Sequence, residues 1–112
     1  MSTYGSDQLA ALADPSRRAI FEALRGGPRA VGELAAALPI SRPAVSQHLK
    51  VLKGAELVVD EAVGTRRLYR LRPEGIAALR AYLDGMWEDA LSSFAKKAEE
   101  TAPETRHGSE ES

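Results

Sequence analysis

Apolar positions recur at two different periods along the chain, and the changes of period mark out seven elements. Leu9 and Leu12 stand three apart and predict a short first helix over residues 8–13, after a frayed N-terminus at 1–6. Asp14-Pro15 restarts the chain, because Asp14 can cap a helix and Pro15 fits its first position. The second helix runs to about Arg25, with Ala19, Ile20, Ala23 and Leu24 on one face, and Gly26-Gly27-Pro28 stops it. Val31 to Leu38 is a third, short helix that buries Val31, Leu34, Ala35 and Leu38 and ends at Pro39. A fourth follows almost at once. Val45, Leu49 and Leu52 form its apolar stripe, Ser41 is its N-cap, Pro43 lies in its first turn, and Gly54 suits a left-handed C′ position.

The period then shortens to two. Leu57, Val58, Val59, Ala62 and Val63 read as one strand, and Arg67 to Leu71 as another with Leu68 or Tyr69 inward. Gly64-Thr65 makes the tight hairpin turn between them. Pro73-Glu74 opens a last helix that reaches about Ala98 or Glu99, with Ile76, Leu79, Leu83, Met86, Trp87, Ala90, Leu91 and Phe94 repeating at three and four. A helix of roughly 25 residues is ~37 Å long, more than so small a domain covers. Its far half therefore predicts an exposed apolar strip and a homodimer held through Leu9, Leu12, Leu79, Leu83, Met86, Trp87, Leu91 and Phe94. The other reading folds the aromatics back onto their own subunit. Residues 7–99 are expected to form one folded, dimerising domain, and 100–112 a disordered acidic tail.

The expected fold is mainly α with a small β-hairpin (α+β), in the order α-α-α-α-β-β-α. A short apolar helix, a tight turn and a polar-faced helix form a helix-turn-helix pattern. On the outer side of the fourth helix, Pro43, Ser46, Gln47 and Lys50 lie three to four apart. Ser46 and Gln47 are short donor–acceptor groups of the kind that read base edges, and Lys50 is of the kind that grips phosphate. An amphipathic core helix with a polar outside is the plainer reading of the same stripe. The hairpin carries Arg66 and Arg67 at its tip, as a wing that can enter the minor groove or clamp its phosphates. Arg17 and Arg18 could reach phosphate or remain solvated surface charges, and Lys53 is a further candidate phosphate contact.

Composition narrows the function. The 112 residues are 44% apolar and 28% charged, as in a globular domain. Net charge is only −1, but residues 1–72 carry eleven Lys and Arg against seven Asp and Glu, a balance of +4. Residues 73–112 carry four against nine, a balance of −5. The basic part holds the polar-faced helix and suits a nucleic-acid surface. No apolar run reaches the ~18 residues of a membrane span, and the N-terminus is not a signal peptide, so a cytoplasmic location is expected. With no cysteine there is no disulfide, thiolate zinc site or cysteine nucleophile. Neither histidine lies in a nucleophile motif and no glycine-rich phosphate loop occurs, so the chain is not expected to be an enzyme or to carry a cofactor.

Three blocks, ALADPSRRAIFEAL, VGELAAALPISRPAVSQHLKVLKGAELV and GTRRLYRL, closely resemble the ArsR family of bacterial winged-helix repressors. The match covers about Leu9 to Leu71, and the last helix more loosely. The resemblance implies a homodimer that binds an imperfect palindrome at its own or a neighbouring promoter and releases it on a signal. It implies that Ser41, Arg42, Pro43, Ser46, Gln47 and Lys50 face the major groove, and that Gly64, Thr65, Arg66 and Arg67 form the wing tip. Metal-sensing members carry paired cysteines in the helix before recognition, where Ala35 and Ala37 stand here. Others use histidines and carboxylates on the last helix, which here offers Asp84, Glu88 and Asp89 without a histidine. His48 reads as packed or DNA-facing, and His107 falls in the tail. No metal site is expected, and the inducer is not specified. The competing function is a winged-helix module that binds protein rather than DNA.

Overall fold

A computed structural model describes residues 4–101. Its elements are α1 (Tyr4–Ala11), α2 (Pro15–Ala23), a 3-10 turn (Leu24–Gly26), α3 (Val31–Ala37), α4 (Arg42–Gly54), β1 (Val58–Val63), β2 (Arg66–Leu71) and α5 (Pro73–Thr101). The expected order of helices and strands is reproduced, with two shifts at the ends.

The first helix starts at Tyr4, inside the stretch read as frayed. Tertiary packing extends it: Gly5 is buried, and a β-carbon there would run into Tyr82 and the Ala78 carbonyl on α5. The acidic tail expected at 100–112 lies almost wholly outside the described residues, and α5 reaches Thr101.

The starts of α2 and α4 follow their capping residues. Asp14 Oδ2 accepts the Arg17 N–H at 3.0 Å, and Pro15 takes the first helical position. Ser41 Oγ accepts the Ala44 N–H at 3.3 Å. At the start of α3 the cap is not a preceding side chain; Glu33 Oε1 reaches back to accept the Ala30 N–H at 2.8 Å.

The core lies under the helix-turn-helix. Ile20, Leu24, Leu34, Val45, Leu49, Leu52, Leu57 and Val58 are buried, with Ala11 beside them. Leu12, Tyr69, Leu71 and Ile76 pack on this cluster from outside. Tyr69 and Leu71 are therefore the inward residues of β2. β1 and β2 pair antiparallel from Val58↔Leu71 to Val63↔Arg66. Gly64 is left-handed at φ 64° and Thr65 after it is not, which fits a type II′ turn. Arg29 ties the hairpin to the body, with Arg29 N to Tyr69 O at 2.9 Å and Tyr69 N to Arg29 O at 2.8 Å.

The end of α4 departs from expectation. Gly54 is the last helical residue, and Glu56 takes the left-handed conformation, at φ 63°. The Leu57 N–H donates to Leu52 O at 3.0 Å and the Glu56 N–H to Lys53 O at 2.9 Å, a Schellman closure. Leu52 and Leu57 are both fully buried, so their contact sets where the helix closes. Gly75 then lies against the Glu56 carbonyl so closely that a β-carbon would overlap it.

The chain divides into two compact units, Met1–Tyr82 and Leu83–Ser112. The first holds the helix-turn-helix, the hairpin and the start of α5. The described part of the second is the remainder of α5, with Leu83, Met86, Trp87, Leu91 and Phe94 exposed, Phe94 at 73%. Among the described residues no helix is long and apolar enough to cross a membrane.

Candidate nucleic-acid interface

The α4 backbone places the two stripes of its sequence on opposite sides. Val45, Leu49 and Leu52 are at most 1% exposed, whereas Ser41, Arg42, Pro43, Ser46, Gln47 and Lys50 all face solvent. Among the described residues the side chains of Ser46, Gln47 and Lys50 make no hydrogen bond or ion pair. The ridge thus offers a hydroxyl, an amide and an ammonium with their full hydrogen-bonding capacity. Arg42, at the start of the helix, lays its guanidinium beside Gly32 on α3. His48 is half-buried on the flank of α4.

The wing is in the opposite condition. Gly64, Thr65, Arg66 and Arg67 are exposed at the hairpin tip, yet both arginines are engaged. Arg66 pairs with Glu33 Oε2 on α3 at 2.8 Å, and Arg67 pairs with Asp60 Oδ2 on β1 at 2.8 Å. Lys53 reaches the same Asp60 from the last turn of α4, at 2.8 Å to Oδ1. The carboxyls of Asp60 and Glu33 are both held below their usual values. For Asp60 the main cause is the Lys53 hydrogen bond, with Arg67 adding to it. For Glu33 it is the Ala30 N–H, then Arg66. Neither carboxylate was singled out from sequence. The only signal was their placement, Glu33 as the third residue of α3 and Asp60 on the strand facing a basic hairpin arm.

Arg17 and Arg18 have structural work at the first helix. Arg17 Nε donates to Ala11 O at 2.7 Å, and Arg18 donates to Leu12 O at 2.9 Å. They satisfy the carbonyls left open where α1 ends. Arg18 is still exposed, with other donors toward solvent. Gln8, read as an ordinary helical residue, is fully buried and donates through Nε2 to the Ala55 carbonyl at the end of α4. Its placement links the first helix to the closing turn of the polar-faced helix.

The residues expected at a subunit interface divide. Leu9 is 39% exposed, as are Leu83, Met86, Trp87, Leu91 and Phe94 to greater degrees, while Leu79 is half-buried. Leu12 packs on its own core. Among the described residues no three histidines or carboxylates converge as metal ligands would. His107 lies outside the described residues.

Comparison with known proteins agrees with this arrangement. A family model described as a helix-turn-helix domain matches residues 12–61. The HTH-type transcriptional regulator Rv2034 of Mycobacterium tuberculosis is 58% identical over 107 residues, covering 94% of this chain and 100% of that protein. A crystal structure described as a possible transcriptional regulator for arsenical resistance is 46% identical, with TM-score 0.69, over 82% of this chain and 96% of that one. The solution structure of the homodimeric winged helix-turn-helix DNA-binding domain of Mb0332 from Mycobacterium bovis is 31% identical, with TM-score 0.62, over 80% and 83%.

Proposed function

This chain belongs to the ArsR family of winged helix-turn-helix, DNA-binding transcriptional regulators, and from that premise we propose that it is a homodimeric repressor of an imperfect palindrome at its own or a neighbouring promoter. α4 enters the major groove, where Ser46 and Gln47 read base edges and Ser41, Arg42, Pro43 and Lys50 fix the helix against the backbone. Gly64 and Thr65 bring Arg66 and Arg67 to the flanking minor groove. Lys53 adds a phosphate contact beside them, and Arg18 a more distant one. The dimer, clasped through α1 and the apolar strip of α5, sets two such helices about one duplex turn apart, ~34 Å. The regulator works in the cytoplasm by binding, without catalysis or a bound metal.

The observation that carries this reading is the uncommitted Ser46–Gln47–Lys50 ridge on a helix whose other side is wholly buried. An ordinary solvated face is richer in Glu and Lys paired along the helix. The test is fluorescence anisotropy with the fragment upstream of the gene and with a scrambled fragment, across a salt series. The proposal expects at least ~10³-fold tighter binding to the upstream fragment. Equal affinity for both at every salt would reject it in favour of a protein-binding module.

A further inference from the structure

We infer that Asp60, which lies off the DNA-reading ridge, is the residue that sets the recognition helix and the wing in register. The inference rests on the DNA-binding reading above and adds to it a positioning group.

Three observations meet at this side chain. The Asp60 carboxylate is only 9% exposed, whereas Glu22, Glu33, Glu61 and Glu74, in other ion pairs, are 47–71% exposed. Its two oxygens take different partners, Oδ1 from Lys53 on α4 and Oδ2 from Arg67 on β2, each at 2.8 Å. Asp60 itself is fixed by the ladder, opposite Tyr69, and Tyr69 is bonded in turn to Arg29. One shielded carboxylate therefore joins the end of the helix that reads bases to the arginine that would hold the flanking groove.

The stereochemistry suits positioning. Arg67 pairs across the ladder with Ala62, two residues from Asp60, so the two side chains share one face of the hairpin. A carboxylate with a partner on each oxygen holds a fixed angle between them, which a single exposed pair does not. Two cations against one carboxylate also leave a net positive charge at the junction. Lys53 and Arg67 are 55% and 57% exposed and keep donors for phosphate.

Electrostatics and positioning call for opposite signs when the charge is removed. Asp60→Asn takes a negative charge away from a DNA-facing surface. If charge alone mattered, affinity for any duplex would rise. If Asp60 aligns helix and wing, affinity for the operator falls while affinity for random duplex holds or rises. The experiment measures wild type and D60N on the operator and on a scrambled duplex by anisotropy at matched salt, with thermal unfolding alongside. The expected result is a roughly ten-fold or greater loss on the operator, the scale of one misplaced base contact per half-site, and a change of less than about two-fold on the scrambled duplex. Undiminished operator binding by a folded D60N overturns the inference. Lys53→Gln gives an independent arm, because it cuts the tether to α4 and leaves the Asp60–Arg67 pair. A loss on the operator several-fold greater than that on the scrambled duplex supports positioning over and above the phosphate contact, and an equal loss on both duplexes leaves Lys53 a phosphate contact alone and overturns it. Should wild type show no preference for the operator, the functional reading itself has failed, which is a separate result.

Discussion

Two glycines, Gly54 at the end of α4 and Gly75 in the first turn of α5, show how differently one residue type acts. Gly54 has ordinary helical geometry, and a β-carbon there would meet open space. Gly54→Ala is therefore expected to stabilise the fold by about 0.5 kcal/mol through helix propensity. Had Gly54 been the left-handed closing residue, the same change would be destabilising. Gly75 is the opposite case, since a β-carbon would overlap the Glu56 backbone carbonyl, which cannot rotate away. Gly75→Ala is expected to cost about 2 kcal/mol or more, the range of an overpacked contact. Urea unfolding of both variants checks the pair of signs. Two stabilities moving in the same direction would contradict this geometry.

At the scale of the element, the hairpin is a wing whose cations are already in use. Replacing Arg66 and Arg67 by alanine is expected to weaken binding to operator and scrambled duplex alike. It should also flatten the dependence of log K on log salt. The flattening should fall short of two phosphates per subunit, because each arginine is matched by a carboxylate. Glu33, freed when Arg66 moves to DNA, would gather a cation that offsets a counterion DNA releases, and Asp60 stays paired with Arg67 and offsets part of its charge. Anisotropy at four or more salt concentrations measures this slope, and an unchanged slope would remove the wing from the interface. Within α4, Gln47→Ala is expected to change base preference at one position per half-site by about 1–3 kcal/mol, read by competition among single-base operator variants.

The same hairpin carries a pH dependence. Asp60 sits below its ordinary value of 3.8 in the folded chain, so the unfolded chain takes up its proton at higher pH. The stabilisation it provides is complete above that ordinary value and is lost as pH falls through the lower, folded one. Wild type should therefore lose stability toward acid more steeply below about pH 4 than D60N does, as denaturant midpoints across that range would report. Parallel curves would mean that the Lys53 and Arg67 contacts contribute nothing to the fold.

At the scale of the whole molecule, the exposed apolar side chains of α5 are the largest unmet demand. Trp87 is 65% and Phe94 73% exposed, with Leu83, Met86 and Leu91 beside them. Covering five such side chains would contribute roughly 1.5–3 kcal/mol each at full burial, ample for a stable dimer. Leu91→Ser with Phe94→Ser is expected to yield a monomer at micromolar concentration by analytical ultracentrifugation. Operator affinity should fall by more than ten-fold while the unfolding of the helix-turn-helix unit changes little. A double variant that remains a dimer would move the interface elsewhere.

Local chemistry was enough to foretell most of this molecule. Period-three and period-two stripes, Asp14, Ser41 and Pro15 at helix starts, and Gly64 at the hairpin act within a few residues of themselves, so the chain order, the hairpin turn and the outward ridge of Ser46, Gln47 and Lys50 could be read directly. What required the folded chain were events between residues far apart in sequence. Gln8 reaches the end of α4, Gly75 presses on Glu56, and Tyr82 gives α1 a seat that begins at Tyr4. Asp60 and Glu33 find the cations of other elements. Packing moved the left-handed turn from Gly54 to Glu56 because burying Leu52 against Leu57 outweighs the modest strain of a non-glycine residue there. Ion pairing engaged the wing arginines because a carboxylate from another element lies within reach, a distance that no spacing along the chain encodes.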